Sequence, residues 1–247
     1  MPHGDSGGGE HPFAGAWAGL LILSLAWGLA SEGLFAAVLW VCQRVSPPVW
    51  EAGAVVATAA LAGPFRLAGL ELAGLAGARR RPARIATALV LWGLWAGCLA
   101  YLRLTQHHGQ SDEEQALPAA LAWIRPDMEA FRVLILAPLW GAWAMMIAVQ
   151  FRRPGAGALA AMAEFAAGCG PVLSAAVMGV LLGGSILYFS FLPWYQLAIS
   201  AGAILGGIAA GVLAGRRAGG LTRGTLLAAN LGAQGGFVLA YLACVAR

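Results

Sequence analysis

Five side chains that carry charge or make strong hydrogen bonds interrupt stretches that are otherwise apolar. They are Glu32 in GLASEGLFA, Arg66 and Glu71 in LAGPFRLAGLELAG, and Asn230 and Gln234 in AANLGAQGG. A charged side chain in the middle of a bilayer costs about 2.5–3.5 kcal/mol on insertion scales unless a partner or water meets it, so such residues point to ion or solute pathways. A cluster of Glu32, Arg66, Asn230 and Gln234, with Glu71 below it, would line a cavity for an ion or a small polar solute. The competing reading makes the same residues interhelical fasteners that hydrogen-bond one another and never touch a substrate.

Spacing decides which of them meet. Arg66 and Glu71 are five residues apart, which leaves them about 140° apart around a helix, whereas pairs three or four apart share a face. They therefore do not neutralise each other. Pro64 has no N–H to donate to the Ala60 carbonyl, and Gly63 beside it favours a kink, so a free carbonyl is expected near Arg66. Asn230 and Gln234 are four apart and share a face that Tyr241 continues. Counted from the inner side, Gln234 lies about 15 Å deep, Arg66 about 18 Å and Glu32 about 28 Å, which makes Glu32 the best partner for Arg66.

These residues need helices to hold them. The 247-residue chain is 60% hydrophobic and only 11% charged, more apolar surface than a soluble core absorbs. Its apolar runs of twenty or more residues match a hydrocarbon layer roughly 30 Å thick. The pattern predicts an all-α polytopic bundle: a polar tail over 1–12, then a single transmembrane domain over 13–247. Its seven spans fall at about 13–41, 51–78, 85–104, 129–150, 171–191, 195–215 and 224–246. Arginine placement orients the bundle. With the N-terminus cytoplasmic and the C-terminus outside, Arg79, Arg80, Arg81, Arg84, Arg152, Arg153, Arg216, Arg217 and Arg223 fall inside. Arg44, Arg103, Arg125, Arg132 and Arg247 fall outside. The expected location is a bacterial cytoplasmic membrane. The tail lacks Lys and Arg and leads into a run longer than a signal-peptide core, which reads as a first span.

Between spans four and five, the helical pattern of GAGALAAMAEFAAGCGP stops at Gly168 and restarts at Pro171, a residue suited to a first helical turn. A separate surface-lying helix carrying Glu164 is expected there. Spans five to seven carry small residues at four-residue spacing: Gly179/Gly183, Gly202/Gly206, Gly207/Gly211/Gly215 and Gly232/Gly236. Close backbone approach is a main source of helix association in lipid, so these spans should form the tight half of the bundle and offer a surface to a membrane-protein partner.

Other chemistry finds little support. His3, Asp5, Glu10 and His11 lie in the tail, and His107, His108, Asp112, Glu113 and Glu114 in a long loop on the opposite side; neither set has a defined zinc spacing. Cys42, Cys98, Cys169 and Cys244 form no C-x-x-C pair and read as packing residues. Gly155 opens a formal G-x-G-x-x-A match, but no strand precedes it. Glu164 near Cys169 lacks a histidine that would complete a nucleophilic site. The net charge of +4 comes from arginines beside apolar runs, so nucleic acid is not an expected partner. Trp50, Trp123 and Trp194 fit interfacial anchors, while Trp27, Trp92, Trp95, Trp140 and Trp143 lie deeper and read as packing. No cofactor is implied and no enzymatic role is favoured. The expected function is a small permease or channel-like protein. The alternative is a non-catalytic subunit of a larger membrane complex.

Overall fold

The computed structural model describes residues 15–45, 82, 85–86, 89, 129–151, 160–188 and 193–245. Among these residues there are six helices and no strand: α1 (Ala16–Val45), α2 (Glu129–Phe151), α3 (Ala160–Gly168), α4 (Pro171–Tyr188), α5 (Pro193–Ala218) and α6 (Arg223–Val245). They correspond to the spans expected at 13–41, 129–150, 171–191, 195–215 and 224–246, with ends shifted by a few residues, plus the extra short helix before Pro171. The span expected at 51–78 and most of that at 85–104 lie outside the described residues.

Three stretches are long and apolar enough to cross a membrane: Val133–Phe151, Tyr195–Ala218 and Arg223–Cys244. A fourth candidate is the pair formed by α3 and α4, which bend by 71° at the break between them. Their length and apolar character fit an integral membrane protein.

Helix α2 is the hub and touches each of the other five. Its inward side chains include Val133, Leu136, Trp140, Trp143 and Met146, all buried. Close contacts set the helix directions. Added Cβ atoms at Gly207 and Gly211 of α5 would meet Ala144 and Ala148 of α2, so α5 runs parallel to α2; they would also meet Ala233 and Ala229 of α6, which therefore runs antiparallel to both. Helix α4 is antiparallel to α2 as well, since Trp140 bonds Ser185 and Trp143 bonds Ser174.

Helix α5 uses two adjoining glycine rows for two neighbours. Gly207 and Gly211 face α2 and the alanines of α6, while Gly202 and Gly206 lie against the backbone of Gly236 and Gly232. With no Cβ in the way, α5 and α6 pack backbone on backbone, close enough for Cα–H···O contacts. Gly28 of α1 does the same on α2, where an added Cβ would sit 2.9 Å from Ile135 Cα and 3.2 Å from the Leu134 carbonyl oxygen. That carbonyl lies four residues before Pro138, which is inside α2 and has no N–H to offer it. The close crossing of α1 thus falls where the ladder of α2 is interrupted.

The α5–α6 turn is specified locally. Gly219 has φ of +71°, and the Gly220 N–H donates to the Gly215 carbonyl at 3.1 Å, the six-to-one bond of a Schellman ending. Arg216 and Arg217 in the last turn complement the negative end of the α5 dipole. Thr222 then caps α6: the Thr225 N–H donates to Thr222 Oγ1 at 3.2 Å, and the Thr222 N–H donates back to Thr225 Oγ1 at 3.3 Å. Replacing Thr222 with alanine leaves both the cap and its hydroxyl contact unmade, and the expected cost is about 1 kcal/mol. A thermal-unfolding midpoint in detergent unchanged by Thr222→Ala would contradict this assignment.

Candidate functional site

Asn230 and Gln234 occupy the middle of α6 and are buried. The Gln234 Nε2 donates to Asn230 Oδ1 at 2.6 Å, and the Asn230 Nδ2 points to Met145 Sδ at 3.5 Å. Opposite them is Gly141 of α2, where an added Cβ would come within 2.7 Å of Asn230 Nδ2. Any larger residue there would collide with the amide. The interior of the bundle thus makes room for a polar pair between α2 and α6, at the level where α2 would cross the middle of a bilayer. Met145 is a weak acceptor, so among the described residues the Asn230 donor is only softly held.

Tyr241 lies further along the same helix and is fully buried. Glu32 sits in α1, one turn after Gly28, where α1 packs closely on the α2 backbone. Arg66 and Glu71 lie outside the described residues. The structure therefore brings Asn230 and Gln234 together at the α2 face and places the Glu32 backbone on a helix that packs on α2.

A second polar pair went unnoticed in the sequence. Gln196 and Ser200, four residues apart on α5, are buried, and among the described residues Gln196 Oε1, Gln196 Nε2 and Ser200 Oγ have no hydrogen-bond partner. The face that bears them continues through Ala203, Gly207 and Gly211, the last two meeting α2 and α6. The signal was present as polar residues in phase with the glycine row on one helical face. Burying an amide or hydroxyl without a hydrogen bond costs about 1–3 kcal/mol by mutational measures, so this pair stands out energetically.

Other polar groups on α2 and α4 act as fasteners. Trp143 Nε1 donates to the Ser174 carbonyl at 3.0 Å, Trp140 Nε1 to Ser185 Oγ at 3.3 Å, and Gln150 Nε2 to Ser174 Oγ at 2.6 Å. The two indoles stack edge to face with centroids 5.7 Å apart, a favourable arrangement for aromatic quadrupoles. These tryptophans hold α4 on α2. Gln150 Nε2 also reaches the Cys169 carbonyl at 3.4 Å, bracing the α3–α4 break. Cys169 itself is buried in that break. Glu164 Oε2 is buried without a hydrogen-bond partner among the described residues.

The helix directions place the C-terminus of α5 and the N-terminus of α6 at one end, with the exposed Arg216, Arg217 and Arg223. The C-terminus of α2 and the α3–α4 break, joined through Gln150, lie at that same end. Gln196 and Ser200 lie near the other, in the first two turns of α5.

No family model, curated protein or solved structure matches this chain. The functional reading therefore rests on the bundle and its buried polar groups.

Proposed function

We propose that the protein is a small permease or channel-like protein of a bacterial cytoplasmic membrane, passing an ion or small polar solute. Its seven spans run from a cytoplasmic N-terminus to an external C-terminus, and its polar site is formed by Glu32, Arg66, Asn230 and Gln234, with Glu71 on the cytoplasmic side. The observation that carries this reading is the Asn230/Gln234 pair. Two neutral amides are buried at mid-helix beside Gly141, and among the described residues the Asn230 donor meets a thioether. A pair whose sole task was to tie α6 to α2 would meet a strong acceptor on α2. Neutral amides offer donors and acceptors to a passing solute without trapping it by charge. Arg66 and Glu32 supply the charge that sets selectivity.

Reconstituting the full chain in liposomes tests the reading. Flux of potassium chloride or glycerol above that of empty liposomes is expected, and Arg66→Ala should lower it at least about tenfold, as expected for loss of a charge at a selectivity site. No flux of either probe, with a stoichiometric protein partner found by mass spectrometry after mild-detergent purification, would replace this reading with that of a subunit in a larger complex. One observation favours that second reading: Gly179, Gly183 and Gly184 of α4 are exposed with open space where a Cβ would sit, beside exposed Val172, Val180 and Leu187.

A further inference from the structure

Gln196 and Ser200 are the most deeply buried polar groups on α5, and neither is explained by the helix contacts around them. Gln196 presents an amide oxygen and an amide nitrogen, and Ser200 a hydroxyl, all without a hydrogen-bond partner among the described residues. Four-residue spacing puts the two side chains one turn apart on one face. The same face meets both α2 and α6 further along, at Gly207 and Gly211. Gly202, two residues after Ser200, meets Ala240, so the polar pair stands level with the last turns of α6, beginning at the buried Tyr241.

We infer that Gln196 and Ser200 form an internal site for water, and that this water is the first step from the end of the bundle where α5 begins toward the Asn230/Gln234 pair. The second clause rests on the transport reading; the first does not. The chemistry selects a neutral hydrogen-bonding occupant. An amide and a hydroxyl together supply donors and acceptors with no charge, which suits the two to four hydrogen bonds of a buried water and gives an ion no counter-charge. The position fits a stepping stone. Gly206 packs on Gly232, which places Gln234 near the level of Gly206, about 9 Å along the bundle axis from Ser200. A second polar site at that separation shortens the apolar interval a hydrated solute must cross. On α5 the intervening buried residue of that face is Ala203, level with the buried Phe237 of α6.

Thiol labelling tests this directly. In the full chain with its four native cysteines replaced by alanine, Ser200→Cys and Ala203→Cys variants in liposomes are treated with 2-aminoethyl methanethiosulfonate. The cysteine thiolate attacks the reagent sulfur, a mixed disulfide forms and methanesulfinate leaves, while the thiol proton passes to water. Because the thiolate forms only where water reaches, Ser200→Cys is expected to react at least about tenfold faster than Ala203→Cys. Equal or slower reaction overturns the inference. If the Ser200→Cys chain does not fold, Gln196→Leu in the otherwise native protein decides. A hydrated site predicts an unchanged or lower thermal midpoint, because the leucine removes an interaction with water; a dry site predicts a higher one, because the leucine removes an unsatisfied amide. The two readings fail separately. Fast labelling without potassium chloride or glycerol flux leaves the water site standing and removes the transport reading, and flux with slow labelling does the reverse.

Discussion

Replacing Gly206 with leucine is expected to separate α5 from α6 and to lower stability by about 3 kcal/mol or more, at the upper end of overpacking costs. A Cβ at this position falls against the Gly232 carbonyl oxygen, a backbone atom, so no rotamer change relieves the overlap. The reciprocal substitutions at Gly232 and Gly236 meet the carbonyls of Gly206 and Gly202 in the same way. The control is Gly183→Leu on α4. That position is exposed and has nothing within 4 Å of an added Cβ, and leucine favours helix over glycine by up to about 1 kcal/mol. Thermal midpoints in detergent measure both. Gly206→Leu should fall by roughly 10 °C, while Gly183→Leu stays at or above the parent. A Gly206→Leu protein as stable as the parent would show that the α5–α6 backbone contact is not what holds this half of the bundle.

The double substitution Asn230→Leu with Gln234→Leu is expected to abolish flux while sparing the fold. Each leucine is close in volume to the amide it replaces, and removing donor and acceptor together strands neither, so the change in stability should stay within about 1 kcal/mol. The single substitution Gln234→Leu behaves differently, because it takes the donor from the buried Asn230 Oδ1 and leaves an unpaired acceptor that costs about 1–3 kcal/mol. Flux and thermal midpoint measured on the same preparations separate a pathway from a fastener. In a pathway, the double variant is stable and loses at least about tenfold of its flux, as expected when the hydrogen-bonding groups that replace a solute's hydration are gone. A double variant that carries solute like the parent would sink the assignment of this pair to the path. One that unfolds would show that the amides hold the helices.

Much of the framework was legible in the residues. Hydropathy runs located five of the described helices because length and uninterrupted apolar character are linear properties of the chain, and three of these helices, or four with the bent α3–α4 pair, are long and apolar enough to cross a membrane. The break before Pro171 was visible for a similar reason: proline starts helices and Gly168 ends one, whatever surrounds them. The Asn230/Gln234 face followed from four-residue spacing, and the structure places both side chains in the interior. The turn between α5 and α6 is likewise a local matter of Gly219 and the Thr222 cap.

Partner choice was not legible. Nothing in the spacing of Gly202, Gly206, Gly207 and Gly211 says which row meets which helix, because a small residue permits an approach without specifying who makes it. Only the packed bundle shows one row against Gly232 and Gly236 and the other against Ala144 and Ala148. The same holds for Trp140 and Trp143, whose indole donors find Ser185 and Ser174 across 45 and 31 residues of chain. The burial of Gln196 and Ser200 was not legible either, since burial depends on what other helices place over them. The residues alone thus determined where the described long helices form and that Asn230 and Gln234 share one face, because those follow from hydropathy and periodicity along a single chain. Tertiary structure decided which buried polar groups are satisfied, because a hydrogen bond between helices requires two distant segments to arrive at the same depth and the same rotation.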